Sequence, residues 1–155
     1  MEFEEVNLEK NLNLYLGFRR DTHFLSYESE REFNTEECVN WFQSLKENNL
    51  TGFEHVVLDG QIIGLLEYKS GIKEIDGELM GYINLIYLLP EYRGKNFGVE
   101  LQSHVLSTFI SDGCSFAYLR YLPKNIAAGS FYKKNGWEPK GVLTERGQLM
   151  VKKLA

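Results

Sequence analysis

The stretch from Leu79 to Gly98, LMGYINLIYLLPEYRGKNFG, holds the features that decide the fold. Its first part, Leu79 to Leu89, is a nearly continuous apolar run, which is typical of a central strand covered on both faces. Pro90 ends this strand because proline has no amide hydrogen to donate to a ladder. The residues after it lead, through two glycines, into a segment whose apolar residues recur at helical spacing. The stretch therefore predicts a strand, a tight turn and a helix in direct succession.

On the C-terminal side of this stretch, strands and helices continue to alternate. The helix after the turn is expected to end at Gly113, since glycine readily adopts the left-handed conformation that closes helices. After it we predict a strand at 115–122, a short helix at 125–134 and two closing strands at 137–144 and 148–154.

On the N-terminal side, Asp59-Gly60 is a strong two-residue hairpin turn between β-rich runs at 55–58 and 61–68. Further upstream, the spacing of apolar residues predicts a helix at 8–19 and a second helix that begins at Asn34 and ends near Asn48. At 155 residues and 43% hydrophobic composition, the chain has enough apolar material for one well-formed core. The order of elements predicts one α/β domain, a mixed sheet with helices on its faces.

Composition argues against several classes of function. The net charge of −5 argues against general nucleic-acid binding, and no apolar run is long enough to span a membrane. The first residues are acidic and lack the apolar core of a signal peptide, so a cytoplasmic location is expected. The two cysteines and three histidines show no metal-ligand spacing, and we therefore expect no metal.

Charge is unevenly distributed along the chain. Residues 1–37 contain ten acids and four bases, a balance of −6, whereas residues 88–134 contain three acids and six bases, a balance of +3. A basic second half suits a phosphorylated ligand, and an acidic first half suits a cationic one. Ordinary solvated surface charge is the alternative for both segments.

The turn at residues 93–98 has the composition of a phosphate-binding site. A helix start leaves backbone N–H groups unpaired, and glycine lets a phosphate approach them closely. Arg93 and Lys95 add positive charge. The spacings of a P-loop and of a Rossmann dinucleotide-binding turn are absent. The turn therefore favours a pyrophosphate site, with a basic surface loop as the alternative.

The turn resembles the acetyl-CoA loop of the GNAT superfamily of N-acetyltransferases, [Q/R]-x-x-G-x-[G/A], with Arg93 at its first position and Gly98 at its last. Asn96 stands where the family has its middle glycine. Asparagine tolerates a left-handed backbone better than most residues, so we expect the turn to survive. A second segment, residues 125–137, resembles the family's N-x-x-A…[F/L]-Y-x-x-x-G-[F/W] pattern, and the order of elements over 55–154 is similar to that of the family.

The resemblance implies a GNAT-like fold, a single α/β (α+β) domain over residues 1–155 with one mixed, mostly antiparallel sheet, a central splayed strand pair and helices on both faces. Residues 1–50 would supply helices on the acceptor side, and residues 53–155 the sheet and the acetyl-CoA-binding core. The implied activity moves an acetyl group from acetyl-CoA to the primary amine of a small molecule or peptide, by direct attack in a ternary complex. Members are often dimers, so a homodimer is an expected assembly, without nucleic-acid or membrane partners.

The resemblance also assigns residues to the cofactor and to catalysis. Tyr132 takes the position of the general acid that protonates the departing sulfur, and aromatic packing is its alternative role. Asn125 takes the position of the residue that bonds the pantetheine arm, and it suits a helix N-cap equally well. A backbone N–H near Leu88 would polarise the thioester carbonyl. The full set of expected cofactor-binding residues is Tyr87, Leu88, Leu89, Arg93, Gly94, Lys95, Asn96, Phe97, Gly98, Asn125 and Tyr132.

The general base is not assigned by the resemblance. Many relatives carry a glutamate on the strand before the helix of Asn125, whereas this chain has Arg120 or a neighbour at that place. Glu67 and Glu78 are the candidates, acting directly or through a water, although each also suits an ordinary surface position.

Three polar residues are expected to contact the acceptor. Alternate residues of a strand share a face, so Tyr82, Asn84 and Ile86 should point the same way. Tyr82 and Asn84 are predicted to line the acceptor site, and a hydrogen bond within the sheet is the alternative role for Asn84. Tyr27 is predicted to join them from the acidic, aromatic N-terminal region, whose charge favours a cationic acceptor.

Two other functions stay open on the sequence. A non-catalytic module of the same fold that senses acyl-CoA or an amine is motivated by Asn96 and by the absent strand glutamate. Transfer of a longer acyl group is the third hypothesis.

Overall fold

Strands and helices follow one another in the order that the sequence predicts, with one strand added at the start. The computed structural model describes residues 1–26 and 32–154. A short 3-10 helix, Pro90–Tyr92, lies between β4 and α3. The other elements are β1 (Glu2–Glu5), α1 (Leu8–Ser26), α2 (Thr35–Glu47), β2 (Thr51–Leu58), β3 (Gln61–Lys73), β4 (Leu79–Leu88), α3 (Phe97–Ser111), β5 (Phe116–Tyr121), α4 (Ile126–Lys134), β6 (Glu138–Pro139) and β7 (Gln148–Lys153).

All of these strands form one mixed sheet in the order β1-β2-β3-β4-β5-β7-β6. Strands β4 and β5 are parallel, and the other neighbouring pairs are antiparallel. Helices α1 and α2 cover one face through residues such as Tyr15 and Phe42. Helices α3 and α4 cover the other face, where Leu101 and Phe109 are fully buried. The predicted mostly antiparallel sheet with helices on both faces is confirmed.

The sheet parts in the middle of β4. This strand pairs with β5 only over residues 80–83, although it stays paired with β3 as far as Leu88. The register of β3 on β4 shifts so that Asn84 has no residue opposite it, which makes Asn84 the extra residue of a β-bulge. A bulged strand bends, so β4 leaves β5 at this point and exposes its edge from Asn84 to Leu88. The predicted splayed strand pair is confirmed.

The bulge also changes which residues of β4 share a face. Tyr82 and Asn84 both line a cavity beside α2. Ile86 instead packs into the core beneath α3, and Tyr87 takes the α1–α2 face. The prediction that Tyr82, Asn84 and Ile86 point the same way is therefore wrong for Ile86, because one extra residue shifts the alternation by one position.

Most ends of elements follow from local chemistry that the sequence displays. The Asn34 side chain accepts a hydrogen bond from the Glu37 N–H at 3.0 Å and so caps α2. Asp59 and Gly60 have φ angles of 51° and 79°, as a two-residue type I′ hairpin requires. Gly113 has a φ of 84° and ends α3, as predicted.

Several segments differ from the sequence-based expectation. The acidic residues Glu2–Glu5 form an edge strand that pairs with β2, where the sequence analysis assigned no element. The first closing strand, predicted at 137–144, shortens to Glu138–Pro139, because Gly141 adopts a φ of 74° and turns the chain. Helix α1 continues to Ser26, beyond its predicted end at residue 19.

Gly81 of β4 lies directly beneath the aromatic ring of Phe109 in α3. A Cβ atom added at Gly81 would lie 2.4 Å from that ring, which is too close for any real contact. We expect Gly81→Ala to lower the free energy of unfolding by about 1–3 kcal/mol in urea denaturation, because the core has no room to accept the methyl group.

The matched control for this substitution is Gly17→Ala on α1, where an added Cβ meets nothing within 4 Å. Alanine is the better helix former, so the control should leave stability unchanged or raise it by up to about 1 kcal/mol. Equal stabilities of the two variants would contradict the packing of α3 on β4.

Candidate functional site

An open cleft of about 550 Å³ lies where β4 and β5 part. Asn84 of β4 and the end of β5, at Arg120 and Tyr121, form one part of its lining. Helices α1 and α2 form another part. Further lining residues are Arg19, Glu32, Phe33, Glu37, Cys38, Trp41 and Arg146.

Glu67 is fully buried behind the helical wall of the cleft. Its Oε2 accepts a hydrogen bond from Arg19 Nε at 3.1 Å, and its Oε1 accepts from Trp41 Nε1 at 2.6 Å and from Arg19 Nη2. A buried carboxylate is tolerated when an opposite charge and hydrogen bonds satisfy it. Glu67 therefore neutralises Arg19 and holds both Arg19 and Trp41 on the wall, and the surface position considered for it does not apply.

Cys38 of α2 also lines the cleft. Burial raises the pKa of the Cys38 thiol to about 11, and the nearby Arg19 charge only partly opposes this effect. The thiol is consequently protonated at neutral pH, and a protonated thiol is a poor nucleophile. These properties fit a small buried residue that packs in the core.

The turn at 93–98 presents backbone amides without a side-chain cap. Asn96 is the N-cap of α3, adopts a left-handed φ of 67°, and makes no capping hydrogen bond with its side chain. The N–H groups of the first turn of α3 are therefore left for another partner. Gly94, with a φ of 74°, has open space where a Cβ would lie. The expectation that asparagine sustains this turn is confirmed.

Arg93 turns back from the loop toward β4. Its Nε donates to the Leu88 carbonyl at 2.9 Å, and its Nη2 donates to Asp21 Oδ2 at 2.8 Å. The Tyr87 hydroxyl donates to the same Asp21 oxygen at 2.6 Å. Arg93 therefore fastens the loop to the end of β4 and to α1. Lys95 belongs to the same loop, and its Nζ lies 6.0 Å from the centre of the Tyr92 ring.

Leu88 has its backbone groups on the open edge of β4. The Leu89 N–H donates to the Ile63 carbonyl of β3 at 2.8 Å. Successive residues of a strand direct their backbone groups to opposite sides, so the Leu88 N–H faces away from β3 and into the gap left by β5. The resemblance to the GNAT superfamily predicts, at this place, an N–H that polarises the thioester carbonyl.

Helix α4 brings Tyr132 to the end of β5. Its ring centre lies 6.1 Å from that of Tyr121 and 6.0 Å from that of Trp137. Over residues 1–26 and 32–154, its hydroxyl has no hydrogen-bond partner. Burial raises the pKa of Tyr132 to about 12.

Asn125 caps α4, since its Oδ1 accepts from the Ala128 N–H at 3.2 Å. The loop and α4 are close neighbours as well: a Cβ added at Gly98 would lie 3.1 Å from the Phe131 ring. The structure thus brings the loop, the start of α3 and α4 together around the end of β4. Phe97, the first residue of α3, is half-buried beside Tyr92.

The remaining predicted residues lie apart from this arrangement. Glu78 precedes β4 at the end opposite Leu88, where its carboxylate accepts a hydrogen bond from the Ser115 hydroxyl. Tyr82 lines a second cavity of about 350 Å³, which it shares with Asn84 and Trp41. Tyr27 lies outside the described residues.

Several lining residues were not predicted from the sequence. Arg19 falls within the apolar stripe of α1, and a charge on a buried helix face indicates a buried partner, which here is Glu67. Trp41 and Arg146 carry no comparable signal, because their positions depend on how α2 and the segment before β7 pack.

Two absences concern only the part of the chain that the structure describes. Within it, no group of three or more His, Cys, Asp or Glu side chains could hold a metal ion. No helix in these same residues combines the length and the apolar character needed to cross a membrane.

The solved structures that share this fold include acetyltransferases. PaiA N-acetyltransferase from Thermoplasma acidophilum, in complex with coenzyme A, superimposes with a TM-score of 0.76 at 22% identity, over 99% of this chain and 98% of that chain. A match to the acetyltransferase (GNAT) family extends over residues 12–137, more than half of the chain. The chain therefore belongs to the GNAT acetyltransferase family.

Two further structures agree in fold. Ribosomal-protein-alanine N-acetyltransferase from Brucella melitensis has a TM-score of 0.74 at 16% identity, over 99% of this chain and 100% of that chain. The GNAT phosphinothricin acetyltransferase from Sinorhizobium meliloti, in complex with AcCoA, has a TM-score of 0.74 at 16% identity, over 99% and 88% of the two chains. Comparison with curated proteins found no match.

The raised pKa of Tyr132 can be measured directly. Burial disfavours the phenolate, so the hydroxyl should ionise near pH 12 in the folded protein, above the ordinary value of about 10. We expect the difference between the ultraviolet phenolate titrations of the wild type and Tyr132→Phe to rise near pH 12. A difference centred near pH 10 would contradict the raised pKa of Tyr132.

The same shift affects stability. Because the unfolded chain ionises first, the contribution of Tyr132 is complete below about pH 10 and is lost as the pH rises to about 12. The loss of unfolding free energy over this window should therefore be smaller in Tyr132→Phe than in the wild type.

Proposed function

We propose that this protein is an acetyl-CoA-dependent N-acetyltransferase that acetylates the primary amine of a small molecule or peptide by direct attack in a ternary complex. One observation carries the proposal: the open edge of β4 at Leu88 lies beside an uncapped helix start at Asn96. Membership of the GNAT family supports the same reading. A cytoplasmic location and a homodimer stay predictions.

The residues around the loop fit the coenzyme. A diphosphate needs several N–H donors and positive charge, which the backbone of residues 94–98 and Lys95 supply. The pantetheine arm carries amide groups and needs a strand edge without a partner, which β4 offers from Asn84 to Leu88. We assign Asn125 and Tyr132 of α4 to the far side of this arm.

Three groups of the chain have roles in the proposed reaction. Bound acetyl-CoA supplies an acyl group activated as a thioester. The Leu88 N–H donates to the carbonyl oxygen as negative charge develops there, and Asn84 positions the amine in the cleft. The amine nitrogen bonds to the acyl carbon while the carbon–sulfur bond breaks. Tyr132 gives its hydroxyl proton to the departing sulfur and recovers a proton from water.

Neither candidate base is favoured for direct proton transfer. Both oxygens of Glu67 are occupied by Arg19 and Trp41, and Glu78 lies at the opposite end of β4. We therefore propose that the amine loses its proton to water in the open cleft. Glu67 then acts as a positioning residue, which holds Arg19 and Trp41 on the wall that the acceptor contacts.

Calorimetric titration with CoA tests the donor site. Arg93→Ala should weaken CoA binding by about tenfold or more, because it removes the charge-assisted hydrogen bonds that fasten the loop to Leu88 and Asp21. Lys134→Ala, at an exposed position on the last turn of α4, removes the same charge and should leave CoA affinity unchanged. Absence of CoA binding to the intact protein would overturn the proposed function.

Thiol release from acetyl-CoA with a panel of amines tests the catalytic step. Tyr132→Phe should lower kcat by about 10²- to 10⁴-fold, since it removes the acid without changing the ring, and CoA affinity should not change. The control is Tyr118→Phe on β5, whose hydroxyl accepts a hydrogen bond from Lys140 at 3.2 Å. Tight CoA binding by the wild type without thiol release for any amine would favour the sensing module instead.

A further inference from the structure

The cleft carries opposite charges on different elements. Glu32 and Glu37 line it at the start of α2, whereas Arg120 and Arg146 line it at the end of β5 and before β7. Arg19 also reaches the cleft, but the buried Glu67 neutralises its charge. The positive charge available to a ligand therefore comes from Arg120 and Arg146.

Arg120 lies at the point where the strands part. Pairing between β4 and β5 ends at Ile83 with Leu119, so Asn84 and Arg120 are the first residues beyond it on either side. Arg120 is half-buried, and its Nη1 donates to the Gly147 carbonyl at 3.3 Å, which leaves its other N–H groups without a partner in the described chain.

Arg146 is the neighbour of Arg120 across this corner. Arg146 directly precedes Gly147, the residue whose carbonyl Arg120 contacts. Both arginines line the cleft, and their charges both act against the rise that burial causes in the pKa of Tyr82. In residues 1–26 and 32–154, no carboxylate pairs with either arginine.

Two adjacent guanidinium groups without a counter-charge repel each other, and the half-buried one is incompletely hydrated. An oxyanion between them would relieve the repulsion. Carboxylates suit arginine well, because the planar guanidinium donates two parallel hydrogen bonds to them. The pair therefore has the chemistry of an anion site, and it lies beside the residues that face the acceptor.

We propose that the acceptor is a small amine that also bears an oxyanion, namely the carboxylate of an amino acid, and that Arg120 and Arg146 bind this oxyanion. The inference rests on the proposed function and narrows its substrate class. A cleft of about 550 Å³ is within the usual range for small ligands. Glu32 and Glu37 complement the ammonium group of the same amino acid as it enters the cleft. The acidic surplus of the N-terminal region therefore also has a role in binding.

The test measures thiol release from acetyl-CoA by the full chain with free L-amino acids, their carboxamides, a polyamine and short acidic peptides. An accepted amino acid should have a kcat/KM about 10- to 100-fold above that of its carboxamide, because the amide loses the charge that the arginines bind. The carboxamide also has a more acidic amine, and comparison of this ratio between wild type and variants removes that difference.

The variants are Arg120→Gln, Arg146→Gln and the double variant. Each single change should lower the ratio about tenfold, mainly through KM for the amino acid, and should leave kcat for the carboxamide and CoA affinity unchanged. Arg146 is exposed, so its variant keeps the test valid if the Arg120 variant does not fold. Lys153→Gln, an exposed charge change at the other end of β7, should keep the wild-type ratio.

The outcomes separate this inference from the proposed function. Equal or faster release with carboxamides or the polyamine, or a ratio that the arginine variants do not change, would overturn the inference and leave the N-acetyltransferase in place. Thiol release with acidic peptides but not with free amino acids would overturn the proposal that the acceptor is a small molecule. No release with any acceptor would overturn the proposed function.

Discussion

A single extra residue in β4 is the constraint on which the site depends. Strand β4 must stay paired with β3 along its length, since this pairing joins the two halves of the sheet. It must also leave β5 after Ile83 to expose a hydrogen-bonding edge. The bulge at Asn84 satisfies both demands, because it bends the strand without breaking the ladder to β3. The cleft, the free N–H of Leu88 and the approach of Arg120 all follow from this bend.

The loop after β4 depends on a second set of contacts, which are electrostatic. Arg93 donates hydrogen bonds to the Leu88 carbonyl of β4 and to Asp21 of α1, and so holds the loop against both elements. The Arg93 side chain therefore holds the loop in place. The backbone amides of the loop and the Lys95 side chain remain available to bind a phosphate. The family pattern places an arginine or glutamine at this position, and both side chains can donate to a strand-end carbonyl.

The sequence predicts the elements whose ends are set by local chemistry. The hairpin at Asp59-Gly60, the cap at Asn34 and the stop at Gly113 need only neighbouring residues, and the structure has each of them. The bulge at Asn84 could not be predicted, because it depends on the register in which β4 pairs with β3.

Long-range pairing accounts for the other differences. The edge strand β1 forms only against β2, and the burial of Glu67 depends on Arg19, 48 positions away. For the proposed site, the resemblance predicts the loop, Asn125 and Tyr132, whereas Trp41 and Arg146 reach the cleft through tertiary packing alone. Local motifs therefore indicate the donor side, and the acceptor side has to be obtained from the fold.

Helix α1 serves both sides at once. Arg19 reaches the cleft wall and Asp21, two residues later, holds Tyr87 and Arg93 at the loop. With a rise of about 1.5 Å per residue, no slide or rotation of this helix can move one residue without moving the other. A displacement of α1 would therefore disturb the cleft wall and the loop together.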